Sequence, residues 1–88
     1  MEVRFHNQFN RDLRRLRNPA LATQVEQIIM DLKAAHSIRD VGGASRMTSE
    51  GEHYRIRIRE YRLGITMDGG TAVLRRFLPR GEIYRYFP

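Results

Sequence analysis

The stretch Tyr54-Arg55-Ile56-Arg57-Ile58-Arg59-Glu60-Tyr61-Arg62-Leu63-Gly64-Ile65-Thr66-Met67-Asp68-Gly69-Gly70 decides the fold. In its first half Tyr54, Ile56 and Ile58 alternate with Arg55, Arg57 and Arg59. Successive strand side chains point to opposite faces, so this period of two is that of a half-buried strand. Tyr61, Leu63, Ile65 and Met67 alternate with Arg62, Gly64 and Thr66 and predict a second strand. Asp68-Gly69-Gly70 is a hairpin turn, because its glycines accept positive φ. Thr71 to Leu78 reads as a third strand, which Pro79 ends, having no N–H for a ladder.

Upstream of this meander the period changes. Met1 to Phe5 alternates, with Val3 and Phe5 on one face, and reads as a short strand. Phe9, Leu13 and Leu16 follow at helical spacing, with Arg11, Arg14, Arg15 and Arg17 on the polar side. Asn18-Pro19 ends that helix and starts another, since Asn caps well and Pro suits the first helical position. Leu21, Val25, Ile28, Ile29 and Leu32 form the apolar stripe of the second helix, which runs to about Ala35. Residues 37–53, with Gly42-Gly43 and Ser49-Glu50-Gly51, read as a loop with room for one short helical turn. The aromatic tail, Arg80 to Pro88, is too short to assign. No repeat or linker appears, so residues 1–88 are expected to be a single domain. The expected class is α+β. An N-terminal strand and a helical hairpin pack on one face of an antiparallel sheet of about four strands. The other face, carrying Arg55, Arg57 and Arg62, looks outward.

Composition removes several chemistries. The 88 residues include no cysteine, which excludes disulfides, thiolate nucleophiles and Cys-ligated zinc. No apolar run approaches the roughly 20 residues that span a bilayer. Met-Glu-Val-Arg-Phe lacks the basic-then-apolar pattern of a signal peptide, and a cytoplasmic location is expected. His6, His36 and His53 have no metal-ligand spacing, so no metal or other cofactor is implied. His6 and His36 read as surface residues at helix ends, while His53 abuts the basic strand. Ser45, Thr48 and Ser49 have no paired base, and the glycine pairs are turns rather than phosphate loops. Glu60 and Glu82 read as partners of nearby arginines.

Charge points to a polyanion. Sixteen basic against ten acidic residues leave a net charge of +6. Residues 1–53 carry eight basic and seven acidic side chains, whereas residues 54–88 carry eight arginines against Glu60, Asp68 and Glu82. All the cations except Lys33 are arginine, whose flat fork takes phosphate oxygens two at a time. Alternate strand positions lie roughly 6.5–7 Å apart on one face, so Arg55 and Arg57 stand about one phosphate spacing from each other. Arg62 joins them if the next strand pairs back. Like charges crowded on a sheet repel, and an anion would resolve them.

The Tyr54–Arg62 segment and the ending Arg76-Phe77-Leu78-Pro79-Arg80-Gly81-Glu82-Ile83-Tyr84-Arg85-Tyr86-Phe87-Pro88 together resemble the RelE/ParE superfamily of toxins, and its RelE-like members more closely. The order of strand, helical hairpin and meander is similar too, so the likeness covers the whole chain. It implies a RelE-like, microbial-ribonuclease-like fold and the toxin of a type II toxin–antitoxin pair. Such toxins cut mRNA in the ribosomal A site without a metal: the 2′-hydroxyl attacks the neighbouring phosphate and the 5′-oxygen leaves. That chemistry needs a proton acceptor, cations around the phosphorane and a proton donor. By motif match, Arg55 and Arg57 fall on the family's paired basic strand positions, Arg62 on its phosphate-contacting arginine and Tyr84 on its tyrosine. The implied catalytic set is Arg57, Arg62, Arg80 and Tyr84; the implied RNA contacts are Arg55, Arg57, Arg59 and Arg76.

Arg62 and Arg57 suit stabilisation of the phosphorane. Arginine is a poor base, which leaves Tyr84, among guanidinium groups that favour its phenolate, either as the base or as a stacking platform. Arg80 is a second phosphate ligand or a neighbour of the proton donor. Close relatives commonly carry His where this chain has Pro79 and a basic residue where it has Gly81, so the resemblance supplies no imidazole there. The implied partners are the ribosome, mRNA and an acidic or amphipathic antitoxin, with DNA bound only by the toxin–antitoxin complex. Two alternatives stay open: a ParE-like inhibitor of DNA gyrase, and a non-toxic RNA-binding module. Phe87 and Ile83 are assigned to packing, closing the sheet against the helical hairpin.

Overall fold

The computed structural model describes residues 1–47 and 50–88; Thr48 and Ser49, expected in the loop, lie outside the described residues. The elements run β1 (Glu2–Phe5), α1 (Asn7–Arg15), α2 (Pro19–Ala34), a 3-10 turn (Ile38–Asp40), β2 (Ala44–Arg46), β3 (His53–Ile58), β4 (Tyr61–Asp68), β5 (Thr71–Pro79) and α3 (Arg80–Tyr86). The helix starts follow the local chemistry. His6 Nδ1 accepts from the Gln8 N–H, and Asn18 Oδ1 accepts from the Leu21 N–H with Pro19 in the first turn of α2.

The sheet order is β1-β5-β4-β3-β2, and the meander β3-β4-β5 is antiparallel as expected. Two features differ from the sequence reading. β1 runs parallel to β5, so the sheet is mixed, and Ala44–Arg46 add a fifth strand beside β3 inside the expected loop. Three residues around Ser45 are too few for a period of two to show. The α+β class stands.

One face of the sheet carries the core. Phe9, Leu21, Val25 and Leu32 from the helices meet Ile56, Leu63, Ile65, Leu74 and Phe77 from the strands, all nearly or wholly inaccessible to water. Phe5 faces the same side but sits at the rim, stacked on Phe9 and 43% exposed. Among the described residues, no helix is long and apolar enough to cross a membrane.

The tail corrects another expectation. Ile83 and Phe87 are buried, but not against the helical hairpin: α3 crosses the opposite face of the sheet. Gly64 makes room for it. A Cβ at Gly64 would stand 2.6–2.9 Å from three atoms of the Phe87 ring, and His53 packs edge-on to that ring at 5.6 Å. The arginine face is therefore partly roofed.

Candidate functional site

Cross-strand register sets the floor of the site. Arg57 pairs with Arg62, Arg55 with Gly64, and His53 with Thr66, which lays the side chains of β3 and β4 in rows on the open face. Arg62 lies at the centre, only 8% exposed. Its Nη1 donates to the carbonyls of Arg59 and Tyr61, at 2.9 and 2.8 Å. Those carbonyls belong to the tight turn between β3 and β4, where Arg59 adopts φ 53, a conformation unusual for a side chain with a Cβ. The turn thus aims its carbonyls at Arg62 and fixes the guanidinium.

Arg80 reaches the same place from the roof. The N–H of Arg80 donates to the Glu60 carbonyl at 2.7 Å, and Pro79 pairs with Tyr61, so the start of α3 abuts the turn. Burial first, then the charges of Arg57, Arg80 and Arg55, pushes Arg62 below the usual arginine range, with Glu60 opposing. Four guanidiniums share one field. Among the described residues, none of the four has an ion pair; the pairs found are Arg4–Glu2, Arg46–Glu52 and Arg76–Asp12. Glu60 and Glu82, expected to partner arginines, act on Arg62 and Arg76 through the field alone. Tyr84 borders the cluster, 55% exposed, with the Arg55 guanidinium 5.4 Å from its ring centre. A crowded, partly dry set of unpaired cations beside an exposed phenol can grip a phosphodiester and stabilise added negative charge on it.

The expected site residues are thus not all in one place. Arg55, Arg57, Arg62, Arg80 and Tyr84 gather. Arg59 is exposed on the turn beside them. Arg76, expected to contact RNA, is half-buried and already holds a carboxylate: its Nε and Nη2 donate to Asp12 at 2.8 and 3.1 Å. The same carboxylate accepts from the Phe77 N–H at 2.9 Å. The reason is topological. β1 pairs only with residues 71–74 of β5, and beyond it Asp12 of α1 serves the bare edge. The hydrogen bond and charge of Asp12 raise Arg76 above the ordinary arginine range against the effect of burial. Tyr86 packs over that guanidinium at 5.5 Å, and so both exposed tyrosines of α3 stand against an arginine. His53 lies two rows from Arg57, at the far side of Phe87.

Asp12 was not visible as a site residue, because one acid on the arginine-rich side of a helix gives no sign of a strand edge. The roof over Gly64 had a faint signal, a glycine at a strand position that otherwise alternates cleanly.

Among known proteins, the chain is 33% identical to "Toxin RelE3" of Methanocaldococcus jannaschii over 89 residues, spanning 100% of both. The crystal structure of a RelB–RelE antitoxin–toxin complex from Methanococcus jannaschii superposes with a TM-score of 0.83 at 30% identity, covering 98% of this chain and 100% of the toxin. The toxin–antitoxin complex RelBE2 of Mycobacterium tuberculosis gives 0.69 at 26% identity, over 90% and 96%. No protein-family model matches the chain.

Proposed function

The chain belongs to the RelE family of toxins, and from that membership we propose that it cleaves mRNA on the ribosome without a metal and is neutralised by a cognate antitoxin. The observation that carries the proposal is the unpaired guanidinium cluster around buried Arg62. In this reaction the 2′-oxygen forms a bond to phosphorus as it loses its proton. The bond from phosphorus to the 5′-oxygen breaks, and that oxygen takes a proton from solvent water. A cyclic 2′,3′-phosphate and a 5′-hydroxyl result.

Charge builds on the non-bridging oxygens as the 2′-oxygen attacks. Arg62, held by the Arg59 and Tyr61 carbonyls, binds one of them, with Arg57 from the floor and Arg80 from the roof. A fixed donor of this kind is worth about 10²–10³ in rate. Tyr84, beside Arg55, takes the 2′-proton as its phenolate and becomes the neutral phenol. Arg55 on β3 and Arg59 on the turn extend the cation track. That the two similar toxins from Methanococcus jannaschii and Mycobacterium tuberculosis crystallised with antitoxins supports a partner of that kind here.

Primer extension on cellular mRNA after induction tests the proposal. New 5′ ends should appear inside coding regions with the parent chain, vanish with Arg62→Ala and fall sharply with Tyr84→Phe. Growth arrest with intact mRNA, or undiminished cutting by both variants, would overturn it.

A further inference from the structure

A β-bulge places a second cation site on the same face. Ile65 pairs with Leu74 and Gly64 with Arg76, which leaves Arg75 without a partner across β4. Strict alternation inward from Phe77 would turn Arg75 toward the apolar core. The extra residue instead brings both Arg75 and Arg76 out of that face, and bulges commonly re-aim side chains beside functional sites. Arg76 then reaches Asp12 around the sheet edge. Arg75 reaches Thr66, to whose Oγ1 its Nη1 donates at 3.4 Å.

Two arginines in tandem make an internal comparison. The edge formed by Nε and Nη2 is where Arg76 holds its carboxylate. On Arg75 the same edge holds nothing among the described residues, and its Nε is a buried donor with no hydrogen-bond partner. Native proteins rarely leave a buried donor unpaired, and a side-on guanidinium edge is shaped for two oxygens of one anion. The guanidinium is also oriented in advance: the Thr66 hydroxyl, accepting from Arg75, lies 3.0 Å from His53 Nδ1 and can donate to it. An opening lined by His6, Thr66, Met67, Asp68, Val73 and Arg75 leads in from solvent.

We infer that Arg75, set by Thr66 and His53, is a second phosphate subsite for the RNA strand whose scissile phosphate lies at Arg62. The inference rests on the RNA-cleaving reading of the Arg62 cluster and names a contact beyond it. The His53–Thr66 row stands two rows from the Arg57–Arg62 row, roughly 13 Å along the strands. Phe87, over Gly64, occupies the row between. A strand gripped at both ends would pass over that roof, so that the second subsite takes a phosphate about two nucleotides from the cut.

Fluorescence anisotropy with labelled UpU and labelled hexauridylate, at several KCl concentrations, tests this. Arg75→Met keeps the buried stem and removes the charge and donors. It should weaken hexauridylate about tenfold, as expected for one charged contact, and should make the log–log salt slope shallower by about 0.7. UpU, with one phosphodiester, should bind unchanged. Thr66→Val, which loosens the guanidinium without removing it, should give a smaller loss of the same length dependence and serves if Arg75→Met does not fold. Arg62→Ala should weaken both ligands. Equal effects of Arg75→Met on UpU and hexauridylate, or none on either while Arg62→Ala weakens both, would overturn the subsite alone. Loss of antitoxin binding with RNA binding intact would also overturn it. Indifference of both ligands to Arg62 and to salt would instead sink the RNA reading itself.

Discussion

Gly64→Ala should change sign with the residue at position 87. In an exposed or merely flat strand the substitution stabilises by roughly 0.5–1 kcal/mol, because glycine in a strand interior is worse than alanine by that amount. Here the new Cβ would lie 2.6 Å from Phe87 Cδ2, 2.8 Å from Cγ and 2.9 Å from Cε2. Carbon atoms prefer about 3.5–4.0 Å, so the ring must retreat by about 1 Å. It cannot retreat freely: Phe87 is 2% exposed, and its N–H is hydrogen-bonded to the Ile83 carbonyl in the last turn of α3. Forcing a methyl group into such a contact costs about 1–3 kcal/mol. In a Phe87→Ala background the space is empty and the ordinary gain should return. The assay is urea denaturation of the parent, the two single variants and the double. A coupling of about 1–3 kcal/mol is expected, the cost of the contact alone, because the gain from replacing glycine is present in both backgrounds and cancels. If Gly64→Ala leaves the midpoint unchanged or raises it while Phe87 is present, α3 does not roof the sheet as described.

Asp12→Ala removes the carboxylate that serves both Arg76 and the β5 edge, leaving a half-buried guanidinium and the Phe77 N–H without it. Breaking a buried pair in this way costs about 3–5 kcal/mol, which a denaturant midpoint will read. The two roles open to Tyr84 separate by substitution. Tyr84→Phe keeps the ring against Arg55 and should preserve RNA affinity while cleavage falls, whereas Tyr84→Ala should lose both. Equal cleavage by Tyr84→Phe and the parent, in a ribosome-programmed cleavage assay, would remove the phenol from the chemistry and leave only stacking.

The meander was legible because a period of two runs through each of β3 and β4 and the turn before β5 is marked by glycines, and the helices because Asn18-Pro19 separates two stripes of different phase. The floor of the site followed from the same alternation once the apolar residues of both strands are put on one face, since that register sets Arg62 opposite Arg57. What stayed hidden depends on distant partners. β1 joins β5 in parallel, a pairing that no adjacent turn specifies. The bulge at Arg75 shifts phase within a strand whose residues on both sides alternate normally, so Arg75-Arg76 reads as an ordinary in–out pair. The side of the sheet taken by α3 depends on the empty space over Gly64, sixteen residues before its first turn.

These hidden features explain how one small face tolerates so much positive charge. A sheet carrying Arg55, Arg57, Arg62, Arg75 and Arg76, with Arg80 close above it, would be destabilised by repulsion without relief. The fold treats them differently. Arg76 is neutralised by Asp12, which at the same time closes a strand edge. Arg55 and Arg76 are each laid against a tyrosine of α3, whose rings favour a cation nearby. Arg62 is braced by two carbonyls, and among the described residues no carboxylate forms an ion pair with it, though it is only 8% exposed. Arg76 receives both an acid and a ring. Around Arg62 the fold supplies further cations, an arrangement that the RNA phosphate of the proposed reaction would relieve.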